Sequence, residues 1–306
     1  MIRFNPCLFL VLFINCQSIF GQVTSAFIET KYTIPFQLTE YNNISVQAKL
    51  NQKDTINLMF HTAANAVSLT EEGVKKIKTI TFAGADSVSS WGGGGNSSRF
   101  SKGNSLQLGA LNWTNVSIWE NKNSGPKTDG KFGIDLFAGQ VIELDFDKNQ
   151  LILYTSLPEK SKKFEKLKLY FEDDFMFIEA NCKIENRSLT NRFLIHSGYS
   201  GALLFDDTFV SKNKIDENLE VISEKELKDS FGNSVKTKRA ILPIFIIGHN
   251  ELTDVPVGFF TGKIGNQKVS ILGGDLLKRF NIIIDEKREY IYISPNKLRK
   301  SKYFSS

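Results

Sequence analysis

Two apolar runs in this 306-residue chain end alike. Ile56-Asn57-Leu58-Met59-Phe60 leads into His61-Thr62-Ala63, and Phe193-Leu194-Ile195 leads into His196-Ser197-Gly198. Each run delivers an imidazole and then a hydroxyl to the end of a strand. With a reference pKa near 6.5, a neutral imidazole next to a protonated one can serve as base and acid at moderate pH. Two facing imidazoles could also hold zinc, but catalytic zinc normally takes about three protein ligands and the spacing supplies no third. No metal and no cofactor are therefore expected.

The other reactive residues have plainer readings. His249 sits in Ile247-Gly248-His249-Asn250, between two apolar runs, and reads as an exposed hairpin histidine. Cys182 lies within a strand pattern and reads as a small buried hydrophobe. Asp135, Asp145, Asp275 and Asp285 stand beside turns or strand ends, where helix capping and turn hydrogen bonds suit them better than catalysis.

The elements that position the two histidines occur twice. Ile44, Val46, Ala48 and Leu50 alternate as a half-buried strand does, a polar turn follows at Asn51 to Asp54, and the first histidine run comes next. Met176 to Ile184, the turn Glu185 to Ser188 and the second run repeat that order. Phe132-Gly133-Ile134-Asp135-Leu136 matches Leu272-Gly273-Gly274-Asp275-Leu276 at a shift of 140, and Asp145 and Asp285 keep the same shift. Between the copies, Leu157-Pro158-Glu159-Lys160-Ser161-Lys162-Lys163 combines proline with dense charge and marks a connection. Residues 22–158 and 159–306 are thus read as two homologous lobes.

Composition agrees with many short strands. Apolar residues make up 41% and charged residues 23%, with Phe 25, Gly 22 and Pro 7, which excludes disorder, collagen and coiled coil. Few stretches look helical: Thr70 before Glu71 and Glu72 has a capping pattern, and Asp275 to Arg279 can add a turn. The charge of +5 is spread along the chain and gives no nucleic-acid footprint. Residues 1–21 carry one charge, Arg3, and an apolar run from Cys7 to Ile14. That run is well short of the ~20 residues of a spanning helix and reads as a signal peptide. A secreted or periplasmic protein with no membrane contact beyond export is expected, lipid anchoring at Cys16 being the minor alternative. Only Cys182 then remains, so no intramolecular disulfide can form. The basic end, Lys297 to Lys302, reads as a solvated tail.

Taken together, these motifs resemble the aspartic protease family, pepsin-like or retropepsin-like. In that family an apolar strand ends in Asp-Thr-Gly or Asp-Ser-Gly, and a later apolar-apolar-Gly segment precedes a short helix. Here Phe60-His61-Thr62-Ala63 and Ile195-His196-Ser197-Gly198 stand in the tripeptide positions, and Ile271-Leu272-Gly273-Gly274-Asp275 resembles the paired Gly segment. The resemblance covers nearly all of residues 30–296. It implies an all-β fold of two β-barrel-like lobes with a central cleft, the pepsin-like bilobal acid protease fold. It further implies that His61 and His196 occupy the catalytic dyad, with Thr62 and Ser197 as the hydroxyls that tie the two loops together. Ala63 and Gly198 then border bound substrate, as do Trp91, Gly92 and Gly93 in a Gly-rich flap. Both dyad aspartates are histidine here. An imidazole has one acceptor when neutral and none when charged, so it cannot reproduce the cradle of carboxylate oxygens around one water. The expectation is a divergent or catalytically degenerate aspartic-protease-like protein, a monomer, that binds an extended peptide or protein in its cleft. The alternatives are a non-catalytic peptide-binding scaffold and a His-dependent or metal-dependent hydrolase.

Overall fold

The computed structural model describes residues 31–90, 93–228, 234–260 and 267–304. The signal segment expected at 1–21 lies outside them, as do Trp91 and Gly92 of the expected flap. Among the described residues, eleven strands in the first half are matched by eleven in the second, in the same order.

In the first half, Ile44–Leu50, Asp54–Phe60, Gly130–Phe132, Val67–Thr70, Leu111–Asn121 and Gly93–Leu108 pair in that sequence. The last then pairs back onto the first, Leu50 opposite Leu106, and closes a six-strand barrel. In the second half the ring runs Phe175–Ile184, Arg187–His196, Ser270–Gly273, Leu203–Leu204, Asn250–Phe259 and Ser234–Ile247. Its closure sets Cys182 opposite Phe245. Closing each sheet leaves few free edges and places every second side chain inside. Phe60, Phe132 and Phe137 fill the first barrel beneath its histidine, with ring centroids 5.4 to 6.0 Å apart. Phe193, Phe205 and Phe245 do the same in the second. Burying such a ring contributes about 1.5–3 kcal/mol.

A third, six-stranded sheet joins the halves. It takes Lys31–Pro35, Gln150–Tyr154 and Val141–Asp145 from the first, then Phe280–Ile284, Tyr290–Pro295 and Glu165–Lys168 from the second. At the junction Ile142 faces Ile284 and Leu144 faces Ile282. The chain crosses from one barrel to the other through the 3-10 turn Glu159–Lys163, just after Pro158.

Helices are short. Glu71–Lys76 is capped by Thr70, whose hydroxyl accepts from Gly73 N–H, as the sequence suggests. Asp207–Asn213, capped by Asp206, has no counterpart in the sequence reading. Asp135 and Asp275 are not the N-cap residues: those positions are Gly133 and Gly273, with no side-chain bond. Asp275 instead is fully buried and pairs with Lys278 at 2.8 Å.

The basic C-terminal end keeps Lys297, Lys300 and Lys302 exposed, but its backbone is tied down and it is not a free tail. Buried Arg279 donates to the carbonyls of Arg299 and Ser301 and lies under the Tyr303 ring. Phe304 N–H donates to Asp275 Oδ2, and the Phe304 ring meets Tyr41 of the first half edge-on. A charged segment of this kind looks solvated in sequence because its partners are backbone carbonyls and a buried ion pair far away along the chain.

Candidate active site

Each histidine is delivered by a strand that runs parallel to its glycine segment. Asp54–Phe60 pairs in parallel with Gly130–Phe132, and His61 N–H donates to the Phe132 carbonyl at 3.0 Å. On the other side His196 lies opposite Gly273 in the parallel pair of Arg187–His196 with Ser270–Gly273. Gly273 has to be glycine, since a Cβ there would come within 2.6 Å of the Tyr199 ring and 2.8 Å of its carbonyl.

The two strand ends meet at the interface of the halves. The His61 and His196 rings lie edge to face, centroids 4.5 Å apart at 62°. Below them four hydrogen bonds cross between the halves. Thr62 N–H donates to Ser197 Oγ (3.0 Å) and Ser197 N–H to Thr62 Oγ1 (3.0 Å). Thr62 Oγ1 donates to the Ile195 carbonyl (2.6 Å) and Ser197 Oγ to the Phe60 carbonyl (2.7 Å). Both hydroxyl residues are about 1% exposed, so each bond satisfies a group that water cannot reach. Asn43 Nδ2 adds a bond to the Ser197 carbonyl and Asn42 Nδ2 one to the Ser200 carbonyl. Lys278 of the second half holds Asn42 Oδ1 at 2.8 Å.

Ala63 fits the first loop without strain, for it is not among the residues of positive φ. Its N–H donates to His61 Nδ1 at 3.1 Å. Nδ1 therefore acts as acceptor, and the neutral ring carries its proton on Nε2. Gly198 lies against that ring: a Cβ would sit 2.5 Å from His61 Nε2, so any larger residue would displace the imidazole.

Neither ring is suited to carry charge. Burial drives His61 well below the ordinary imidazole range, helped by repulsion from His196 and Lys131. His196 keeps a partly exposed edge, but its Nδ1 is sealed from solvent without a hydrogen-bond partner. Loss of hydration, then the Lys131 charge, lowers it to about 4. Both imidazoles are thus neutral at physiological pH, which removes the proton donor that an imidazole acid–base pair would need. Because the folded pKa lies below the unfolded value near 6.5, the pair stabilises the fold fully above that pH. The contribution shrinks as pH falls from about 6.5 toward 4. The double variant His61→Gln/His196→Gln is therefore expected to lose less stability over that interval than the wild type, measured as urea midpoints across pH.

Of the other expected site residues, Gly93 opens the strand Gly93–Leu108 and pairs with Ser90 of Gly84–Ser90. These two strands form a hairpin; Trp91 and Gly92 lie outside the described residues. His249 occupies a turn with its side chain 96% exposed and contacts Glu165 at 2.6 Å; Cys182 is fully buried. Neither approaches a catalytic role. Among the described residues no group of three or more His, Cys, Asp or Glu side chains could hold a metal ion.

The sequence matches no protein-family model and no curated protein. Among solved structures, the crystal structure of the aspartic proteinase from Irpex lacteus matches with a TM-score of 0.60 at 14% identity, over 90% of this chain and 100% of that one. The fold is the bilobal aspartic proteinase fold. Within it, the paired strand ends that carry His61 and His196 form the floor between the lobes, and the Thr62–Ser197 bonds lock them together.

Several contributors escape a sequence reading. Asn43 is fully buried and bonded to the opposite loop. Lys131 and Tyr199 carry no motif at all. The alternation of the Gly130–Phe132 strand is the one signal that could have aimed Lys131 away from the core.

Proposed function

We propose that this chain is a catalytically silent member of the aspartic-proteinase-like proteins that binds an extended peptide between its lobes. The observation that carries the reading is the pair of imidazoles with ring centroids 4.5 Å apart, both shifted toward the neutral form, above an intact set of cross-lobe hydrogen bonds. Peptide hydrolysis on this fold needs two acids close enough to share a proton, one acting on water and the other on the carbonyl. Imidazoles held neutral by burial supply neither the acid nor the symmetric set of acceptors. Loss of the chemistry has not been accompanied by loss of the frame. An extended peptide could pair its backbone with the hairpin and cleft strands and place alternate side chains in pockets. The apolar stretch before residue 22 supports an exported protein acting on peptides outside the cytoplasm.

A histidine-dependent hydrolase is the weaker reading, because it requires one imidazolium near neutrality. Incubation of the protein with a mixture of end-blocked peptides between about pH 3 and 7 is expected to leave them intact by mass spectrometry. Immobilised protein is expected to retain a subset of them. Robust pepstatin-sensitive cleavage, or no retention of any peptide, would contradict the proposal.

A further inference from the structure

Next to Gly198 a cavity of about 350 Å³ opens between the two halves, walled by Asn123 to Pro126 from the first and by Gly198 to Leu203 from the second. That volume lies at the lower end of the ~300–1,000 Å³ of ligand pockets. One further lining residue comes from far along the chain: Phe304, the last of the described residues.

The segment that carries Phe304 is fixed at its root. Leu298 and Tyr303 pack on the main core, buried Arg279 donates to the carbonyls of Arg299 and Ser301, and its guanidinium lies 3.9 Å from the centre of the Tyr303 ring. The tip is held differently. Phe304 is half-buried; its N–H donates to Asp275 Oδ2 at 2.6 Å, and its ring meets Tyr41 of the first half edge-on, centroids 5.9 Å apart at 67°. An edge-on ring pair is a weak contact that another ring can replace. Tyr41 precedes Asn42, whose Nδ2 donates to the carbonyl of the cavity residue Ser200 at 2.7 Å. The Tyr41–Phe304 pair therefore bridges the two halves at the edge of the cavity. Asp275, which holds the tip, stands two residues after Gly273, the residue opposite His196, so the strap is anchored on the segment that backs the dyad.

We propose that Phe304 is an autoinhibitory gate on this cavity. At rest its ring bridges the halves against Tyr41 and narrows the cavity; a bound peptide takes its place once the tip swings away from a root that stays bonded to Arg279. The inference rests on the peptide-binding reading and adds regulation to that site. A protein whose binding-competent form is only partly populated shows an affinity lowered by that fraction, so a gate closed about 90% of the time weakens peptide binding about tenfold.

The test is fluorescence anisotropy, at equilibrium and by stopped flow, with a panel of end-blocked, fluorescein-labelled short peptides. Phe304→Ala is expected to bind them about tenfold more tightly than the wild type. Tyr41→Ala, which releases the ring without changing it, should do the same. Both substitutions remove one contact, so the double variant should gain no more than either single one. The gain should lie in the association rate, with dissociation unchanged, because the bound state already has the gate open. Weaker binding by Phe304→Ala would overturn the gate, by making the ring part of the wall that a peptide touches. Equal affinity in all four proteins would overturn it as well, and a lower urea midpoint in the variants would then assign the strap a purely structural role; in either case the peptide-binding reading stands. No binding of any peptide by the wild type or the variants would overturn both.

Discussion

Changing His61 and His196 together to aspartate is expected to create a peptidase from the wild type proposed above to be silent. The variant should cleave peptides at acid pH, blocked by pepstatin, with a gain on the order of 10²–10⁴-fold, the usual reach of positioned acid–base groups. The frame for it is present. Strand ends meet with ring centroids 4.5 Å apart, and an aspartate is shorter than the imidazole it would replace, so Gly198 need not move. Two carboxylates brought this close cannot both ionise and would share a proton. Lys131, which now disfavours imidazolium, would favour the ionised carboxylate and move the optimum toward lower pH. Each single variant should stay inactive, because a carboxylate facing an imidazole forms an ion pair rather than a proton-sharing dyad. Mass spectrometry of a peptide mixture with and without pepstatin reads the result. A double variant that is well folded yet inactive would mean that more than the dyad has been lost, Ala63 and Lys131 being the residues to change next.

The second large effect concerns stability. Ser197→Ala removes the hydroxyl that donates to the Phe60 carbonyl and accepts from Thr62 N–H, and leaves two backbone groups buried without partners. At about 1–3 kcal/mol for each orphaned group, the loss is about 2–6 kcal/mol. That is a large part of the ~5–15 kcal/mol that holds a typical domain. Thr62→Val, close in shape, strips the bonds to the Ile195 carbonyl and from Ser197 N–H and should cost a similar amount. Because the four bonds form one network, the double variant should lose clearly less than the sum of the two singles. Urea midpoints of the four proteins decide this. Strict additivity would show that the two loops, 135 residues apart, are not energetically coupled.

The doubled architecture is legible in the chain because each lobe repeats the same alternation, polar turn and glycine segment, so one copy supports the other. The meeting of His61 with His196 follows from that repeat. Their protonation does not. A reference pKa near 6.5 invites an acid and a base, and only the packing around the rings reverses that. Asn42, Asn43 and Lys278 were hidden for a related reason: their partners lie 154 to 236 residues away and leave no local pattern. Asp207–Asn213 has seven residues, too few for helical periodicity to stand out between strands. The end of the chain misleads most. Lys297 to Lys302 look solvated, while the buried Arg279 and Asp275 that hold this segment carry charges usually assigned to a surface.

The central claim is that two imidazoles meet between the lobes and are both uncharged. Nitrogen NMR of histidine-labelled protein, with His249→Gln to clear the third signal, reads it directly. The account predicts two neutral rings from about pH 7 down to about pH 5, with the His61 proton on Nε2 and a magnetisation-transfer contact between the rings. An imidazolium at either position near neutral pH, or two rings with no such contact, would contradict it.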